Sequence, residues 1–148
     1  MVDVKPQGGK IVRAMLLAML VFGLIGTSVE LLFLGHNESV TQVAPLVLIG
    51  VGLGVVFWHA MLGSPLSLLV MRVTMVAFIA ASGVGVALHY RGNVEFQKEA
   101  DPSIHGFALF MKAMQSKTPP ALAPGILAHL GLLGLVCTYP FTDRRDKT

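Results

Sequence analysis

Four long apolar runs, separated by short polar segments, dominate the pattern of hydrophobic and polar positions along the chain. The hydrocarbon core of a bilayer is about 30 Å thick, and an α-helix crosses it with about 20 apolar residues. Each run has roughly that length. The pattern therefore predicts transmembrane helices over residues 11–34, 43–62, 66–89 and 121–139.

Glycine and proline residues mark the breaks between these runs. The segment Gly63–Pro65 is typical of a tight turn, so the second and third helices are expected to pack antiparallel. Pro119, Pro120 and Pro124 suit the first turn of a helix and disfavour a helix upstream, so they place the start of the fourth span. Pro140 ends that span.

Residues 90–118 form the longest segment predicted to lie outside the membrane. Its second half, Ser103–Gln115, carries apolar residues at helical spacing and is too short to span, which favours an amphipathic helix on the outer interface. Asp101 or Ser103 is placed to cap that helix. Such a helix also suits a simple lid over the end of the bundle. The predicted fold is all-α: a single domain with four transmembrane helices and a short interfacial helix before the last one.

Composition supports an integral membrane protein. Hydrophobic residues make up 54 % of the chain and charged residues 13 %, against about 25 % charged in soluble domains. The mean hydropathy is +0.73. One cysteine, Cys137, excludes an intrachain disulfide framework and a cysteine-based zinc motif. Nothing in the sequence indicates nucleic-acid binding, and the bilayer is the expected environment.

The distribution of lysine and arginine predicts that both termini are cytoplasmic, because positively charged flanks resist translocation. One predicted side carries seven basic residues: Lys5, Lys10, Arg13, Arg72, Arg144, Arg145 and Lys147. The other side carries four, offset by acidic residues: Arg91, Lys98, Lys112 and Lys117. A bacterial inner membrane is the expected location.

Ionisable residues inside the spans are the best functional leads, because an uncompensated charge in the bilayer is costly. Glu30, His89 and His129 each continue a ridge of small residues on its own helix, so each is expected to face the bundle interior, where small residues permit close helix contacts. The ridges are Gly23, Gly26 and Thr27 in the first span, Ala77, Ala81 and Gly85 in the third, and Ala121 and Gly125 in the fourth. At 1.5 Å per residue, Glu30 lies about 8 Å, His129 about 11 Å and His89 at most about 3 Å below the outer rim. The three residues are therefore expected to share one outer layer.

A layer of carboxylate and imidazole groups suits a transition metal or haem. We expect Glu30, His89, His129 and Glu95 as metal ligands or their close supports. His36 with His89 is a further candidate pair for haem or metal at the rim. No HExxH-type spacing accompanies these residues. A buried Glu–His hydrogen bond that fixes helix register, with no bound ion, explains the same residues equally well.

Three other residue patterns favour structural roles. His59 follows Trp58 near the cytoplasmic end of the second span, which is typical of an aromatic interfacial anchor. Gly50 and Gly54 form a close-packing ridge that is suited to another subunit or to self-association. Arg72 is close enough to the cytoplasmic headgroups to extend towards them.

Three classes of function fit these patterns. The first is a membrane protein that holds a transition metal or haem for redox chemistry, sensing or metal handling. The second is an accessory subunit of a larger membrane complex. The third is an oligomeric transporter in which Glu30 relays a proton or cation. Whether the protein is an enzyme is open, because no complete catalytic motif is present.

Overall fold

A computed structural model describes residues 8–35, 38–116 and 122–140. These residues form five helices and no strand, which confirms the all-α prediction for the described chain. The helices are α1 (Gly8–Phe33), α2 (Val40–Leu62), α3 (Pro65–Ala100), α4 (Gly106–Met114) and α5 (Leu122–Cys137).

Three of these helices are long and apolar enough to cross a membrane. They are α1, α2 and α3, with 26, 23 and 36 residues. Between 17 % and 28 % of the most apolar stretch of each is buried within the protein, so most of that surface faces outward. Apolar surface of this kind indicates contact with the lipid bilayer and hence an integral membrane protein. The 16 residues of α5 rise only about 24 Å, so the fourth predicted span is not confirmed.

Helix α3 extends well past its predicted end. The polarity of residues 90–99 places the end of the span near His89, yet the helix continues without interruption to Ala100. Arginine, glutamate, glutamine and lysine are good helix formers, and this stretch contains no proline. The change to polar residues therefore marks the border of the apolar stretch, and it does not end the helix.

The turn after α3 replaces the predicted cap of the amphipathic helix. One carboxylate oxygen of Asp101, Oδ1, accepts hydrogen bonds from the hydroxyl of Ser103 at 2.6 Å and from its backbone N–H at 3.1 Å. The hydroxyl bond and the backbone bond lower the pKa of Asp101. Helix α4 then begins at Gly106, with His105 at the N-cap and no side-chain cap. The cap prediction is wrong because both residues are used by the turn.

Helix α4 folds back onto α3. The side-chain amide of Asn93 donates to the carbonyl oxygen of Ala113 at 3.1 Å. The rings of Tyr90 and Phe110 lie 6.0 Å apart, at a distance typical of aromatic pairs. Whether α4 lies on the membrane interface stays a prediction.

The turn between α2 and α3 is the tight reversal that the sequence predicts. Gly63 has a φ of 57°, which glycine adopts without a steric penalty, and its N–H donates to the carbonyl of His59 at 2.9 Å. The hydroxyl of Ser64 accepts from the N–H of Ser67 at 3.1 Å, which is the bond of a helix N-cap. Pro65 occupies the first position of α3, where a missing N–H costs nothing.

The chain divides into two compact units, one made of Met1–Val76 with Leu130–Thr148 and the other of Ala77–His129. In the first unit, a side chain at Gly23 would overlap Leu130, and one at Gly134 would overlap Met75. The two glycines therefore permit the close approach of α5 to α1 and α3 within that unit.

In the second unit, a side chain at Gly85 would overlap Pro124. Gly85 thus permits close approach between α3 and α5 there. The sequence prediction that the small residues Gly23 and Gly85 mark helix contacts agrees with both units.

Candidate functional site

The residues predicted to hold a metal are distributed over exposed positions. Glu30, Glu95 and His129 are exposed, and His89 is half-buried. His36 lies outside the described residues. Within the described part of the chain, no group of three or more His, Cys, Asp or Glu side chains is placed to hold a metal ion. The metal or haem layer stays a prediction.

His129 makes its hydrogen bond within its own helix. The ring nitrogen Nδ1 donates to the carbonyl oxygen of Gly125, one turn earlier, at 2.8 Å. This bond orients the ring along α5. The ridge of Ala121 and Gly125 led to the expectation that His129 faces the bundle interior, whereas its side chain is exposed.

Glu30 lies closer to the end of its helix than the sequence indicates. Helix α1 ends at Phe33, three residues later, which puts Glu30 about 4.5 Å from the end. Arg13 lies 17 residues before Glu30, a rise of about 26 Å along a hydrocarbon core of about 30 Å. In a helix that spans such a core, two charges this far apart fall near its opposite borders, where lipid headgroups and water are within reach.

A network of side-chain hydrogen bonds surrounds His59. This ring is buried, with 6 % of its surface exposed. Its Nε2 lies 2.9 Å from Nη2 of Arg13, and its Nδ1 lies 2.9 Å from Oγ of Ser67. The Ser67 hydroxyl in turn donates to the carbonyl oxygen of Ser64 at 2.8 Å. We call these four residues the His59 chain; they connect α1, α2, the α2–α3 turn and α3.

The direction of each hydrogen bond in the His59 chain follows from its donors. A guanidinium group has N–H donors and no acceptor, so Nε2 of His59 must accept from Arg13. The ring therefore carries its proton on Nδ1 and donates to Ser67. The Ser67 hydroxyl donates a hydrogen bond to the main-chain carbonyl of Ser64, which can only accept. Every bond thus runs from Arg13 towards Ser64, with His59 neutral.

The His59 chain has a structural role rather than the arrangement of a nucleophilic site. Although a Ser–His pair can activate a hydroxyl for attack, Ser67 is 0 % exposed and its proton is already bonded to Ser64. A substrate has no access to that oxygen. The prediction that His59 is an interfacial anchor is wrong, because the ring is enclosed by hydrogen-bond partners.

A second arginine joins α3 to the end of α5 in the same unit. Nε of Arg72 donates to the hydroxyl of Thr138 at 3.2 Å, and Nη2 donates to its carbonyl oxygen at 3.3 Å. A cation at the C-terminal end of a helix also interacts favourably with the helix dipole. Arg72 was expected to extend towards headgroups, and it instead binds the last turn of the neighbouring helix.

Sequence reasoning assigned Arg13 to membrane topology and missed its partner. Arg13 lies five residues after the start of α1, and His59 lies three residues before the end of α2. Two antiparallel helices joined by a short loop bring such positions to a similar depth. Matching depth on consecutive spans is thus the signal that would have paired them.

An apolar groove of about 610 Å³ lies between α1 and α2. It begins one turn after Arg13 and continues towards the middle of both helices. Its lining residues are Leu17, Ala18, Val21, Phe22 and Ile25 of α1 with Leu53, Val56, Phe57 and Ala60 of α2.

Comparison with known proteins returns no match to a protein family, to a curated protein or to a solved structure.

Proposed function

We propose that this protein is an accessory subunit of a larger membrane assembly and that the Gly50–Gly54 face of α2 is its docking surface. The observation that carries the proposal is the open space above these two glycines. Within the described ranges, no atom lies within 4 Å of a Cβ placed at either one. A second helix is able to approach the backbone of α2 closely at this surface.

The contrast with other glycines supports this interpretation. Gly23, Gly85 and Gly134 already contact side chains of neighbouring helices. Gly50 and Gly54 are spaced four residues apart on one exposed face, and no described residue lies against them. Small residues at this spacing are typical of transmembrane helix contacts.

The surroundings of the two glycines are apolar. Val47, Phe57 and Met61 lie on the same face of α2 and are 59 %, 68 % and 68 % exposed. Large side chains around a central pair of glycines form walls into which the ridge of another helix packs. The occupant is therefore an apolar transmembrane helix of a partner subunit that carries its own small residues.

The proposal includes a location and an orientation. The seven-to-four distribution of basic residues supports cytoplasmic termini in a bacterial inner membrane. The Arg13 end of α1 and the Gly63 turn are then on the cytoplasmic side.

Native electrophoresis of a tagged protein tests the docking surface. The tagged chain is expressed at its natural level in the source cell, extracted in a mild detergent and compared with the Gly50→Leu/Gly54→Leu double variant. We expect the parent protein in a complex several times its own 15.8 kDa mass and the double variant outside that complex. Gly83→Leu is the matched control, because Gly83 is exposed on α3 with equally open space.

Two results would overturn the proposal. In the first, the parent protein migrates as a single chain in detergent and in lipid nanodiscs. In the second, the complex contains only copies of this chain, which would assign the ridge to self-association. Membrane fractionation of each variant confirms that it has inserted.

A further inference from the structure

The groove between α1 and α2 combines an apolar interior with a cationic end. All nine of its lining residues are apolar, and its volume lies within the range of ordinary ligand sites. Leu17, the first lining residue of α1, is one helical turn after Arg13. A molecule that fills the groove therefore places its other end beside a guanidinium group.

Arg13 retains binding capacity at that end. Among the described residues its hydrogen-bond partner is the neutral ring of His59, which engages one nitrogen and leaves the positive charge uncompensated. A guanidinium has five N–H donors, so several remain for an anion. Bonding to His59 also holds the side chain in one orientation, which reduces the ordering cost of binding.

The first turn of α1, which leads to this end of the groove, adds positive charge and no negative charge. Lys10 is exposed and lies on the α1 face that leads into the groove, about two turns before Leu17. The first turn of α1 contains no acidic residue. The N-terminus of a helix also carries a partial positive charge. The end of the groove is thus complementary to a phosphate group.

We propose that this groove binds one acyl chain of an anionic phospholipid whose phosphate is held by Arg13, with Lys10 beside it. An acyl chain suits the apolar lining, and the phosphate suits the guanidinium one turn away. A partner helix would fill the groove but would leave the cation at its end unmatched. The inference does not depend on the docking surface on α2. The two surfaces share Phe57, whereas the other groove residues of that helix, Leu53, Val56 and Ala60, lie beside the Gly50–Gly54 face and not on it.

Tryptophan quenching by brominated lipids tests this site. The chain contains one tryptophan, Trp58, which does not line the groove, whereas its neighbour Phe57 does. A Phe57→Trp/Trp58→Phe variant moves the reporter into the groove. Both proteins are reconstituted into phosphatidylcholine vesicles that contain an equal mole fraction of brominated phosphatidylglycerol or brominated phosphatidylcholine.

We expect the groove reporter to be quenched preferentially by the anionic lipid, with a relative binding constant about fivefold above that of the zwitterionic lipid, as one basic residue near the membrane surface gives. Trp58 in the parent protein should show no such preference. The preference should fall as salt is added, because screening weakens contacts between exposed charges.

Variants at Arg13 complete the test. Arg13→Gln in the reporter background should abolish the preference, and Arg13→Lys should retain most of it, which separates loss of charge from loss of fold. Arg91→Gln is the matched control, because Arg91 is an exposed arginine of α3 outside the groove. Equal quenching by both lipids would overturn the proposal, as would a preference that survives Arg13→Gln. Weak quenching by both lipids would show that protein fills the groove, and this result would also overturn the proposal.

Discussion

Substitution of His59 by leucine tests the structural role of the His59 chain. Leucine has a similar volume and favours helix, so the change removes two hydrogen bonds with little change in packing or helix propensity. The lost bonds are one from the charged Arg13 and one to the buried Ser67. All other contacts of Ser67, including its bond to Ser64, remain.

The expected cost is about 2 kcal/mol of unfolding free energy. A hydrogen bond to a charged group contributes roughly 1.5 to 3 kcal/mol, and one between neutral groups contributes about 1 kcal/mol. Arg13 is only half-buried, so its released donors recover part of that loss from headgroups and water. The contribution of the Arg13–His59 bond is therefore at or below the lower end of that range. Together with the His59–Ser67 bond, the loss of unfolding free energy is about 2 kcal/mol.

Reversible unfolding in mixed micelles, followed by circular dichroism, measures this cost. His129→Leu is the matched control, because it removes an exposed histidine with a hydrogen bond inside its own helix. We expect the control to change the free energy by no more than about 0.5 kcal/mol, as is usual at exposed positions. If the His59 and His129 variants are equally stable, the His59 chain does not hold the helices together and the reasoning fails.

Three further predictions concern other parts of the molecule. Gly134→Leu should reduce the free energy of unfolding by about 2 to 3 kcal/mol in the same assay, because Met75 already occupies that space; an unchanged value would contradict the packing. Asp101 stabilises the turn after α3 in its ionised form, and this lowers its pKa. The Ser103 amide should therefore be protected from hydrogen exchange at a pH above the ordinary carboxyl pKa. That protection should be lost as the pH falls through the lowered pKa of Asp101. Hydrogen exchange at that amide, expressed as protection relative to an unstructured peptide at the same pH, measures the loss, and protection that does not change with pH would refute it. Metal analysis and an absorption spectrum of purified protein test the metal hypothesis; bound metal that disappears in Glu30→Gln would support it, and metal-free protein would refute it.

The sequence was most informative where local chemistry decides the structure. The sequence predicts a tight reversal at Gly63–Pro65, and the structure builds it with a positive φ at Gly63, a cap at Ser64 and a proline at the first helical position. Gly23 and Gly85 were identified as contact positions because small residues permit close approach between membrane helices. Each of these predictions depends on only a few adjacent residues or on one helix face.

The predictions failed where two segments distant in sequence are in contact, and where polar residues were interpreted as the end of a helix. Arg13 and His59 are separated by 46 positions, and neither has a neighbour that indicates the other. The polar residues after His89 were interpreted as a loop, although they favour helix as strongly as the apolar residues before them. Helix propensity and membrane burial are separate properties. A pattern of apolar and polar residues indicates where membrane burial ends, but it does not indicate where the helix ends.

The uniform direction of the His59 chain has a consequence for proton movement. A proton wire conducts only if every donor along it can reverse and accept from the other side. Arg13 cannot give up its proton, and the terminal carbonyl of Ser64 has none to return. The hydrogen bonds of the His59 chain therefore keep one direction and cannot conduct protons. Proton or ion translocation through this protein would have to follow a different route.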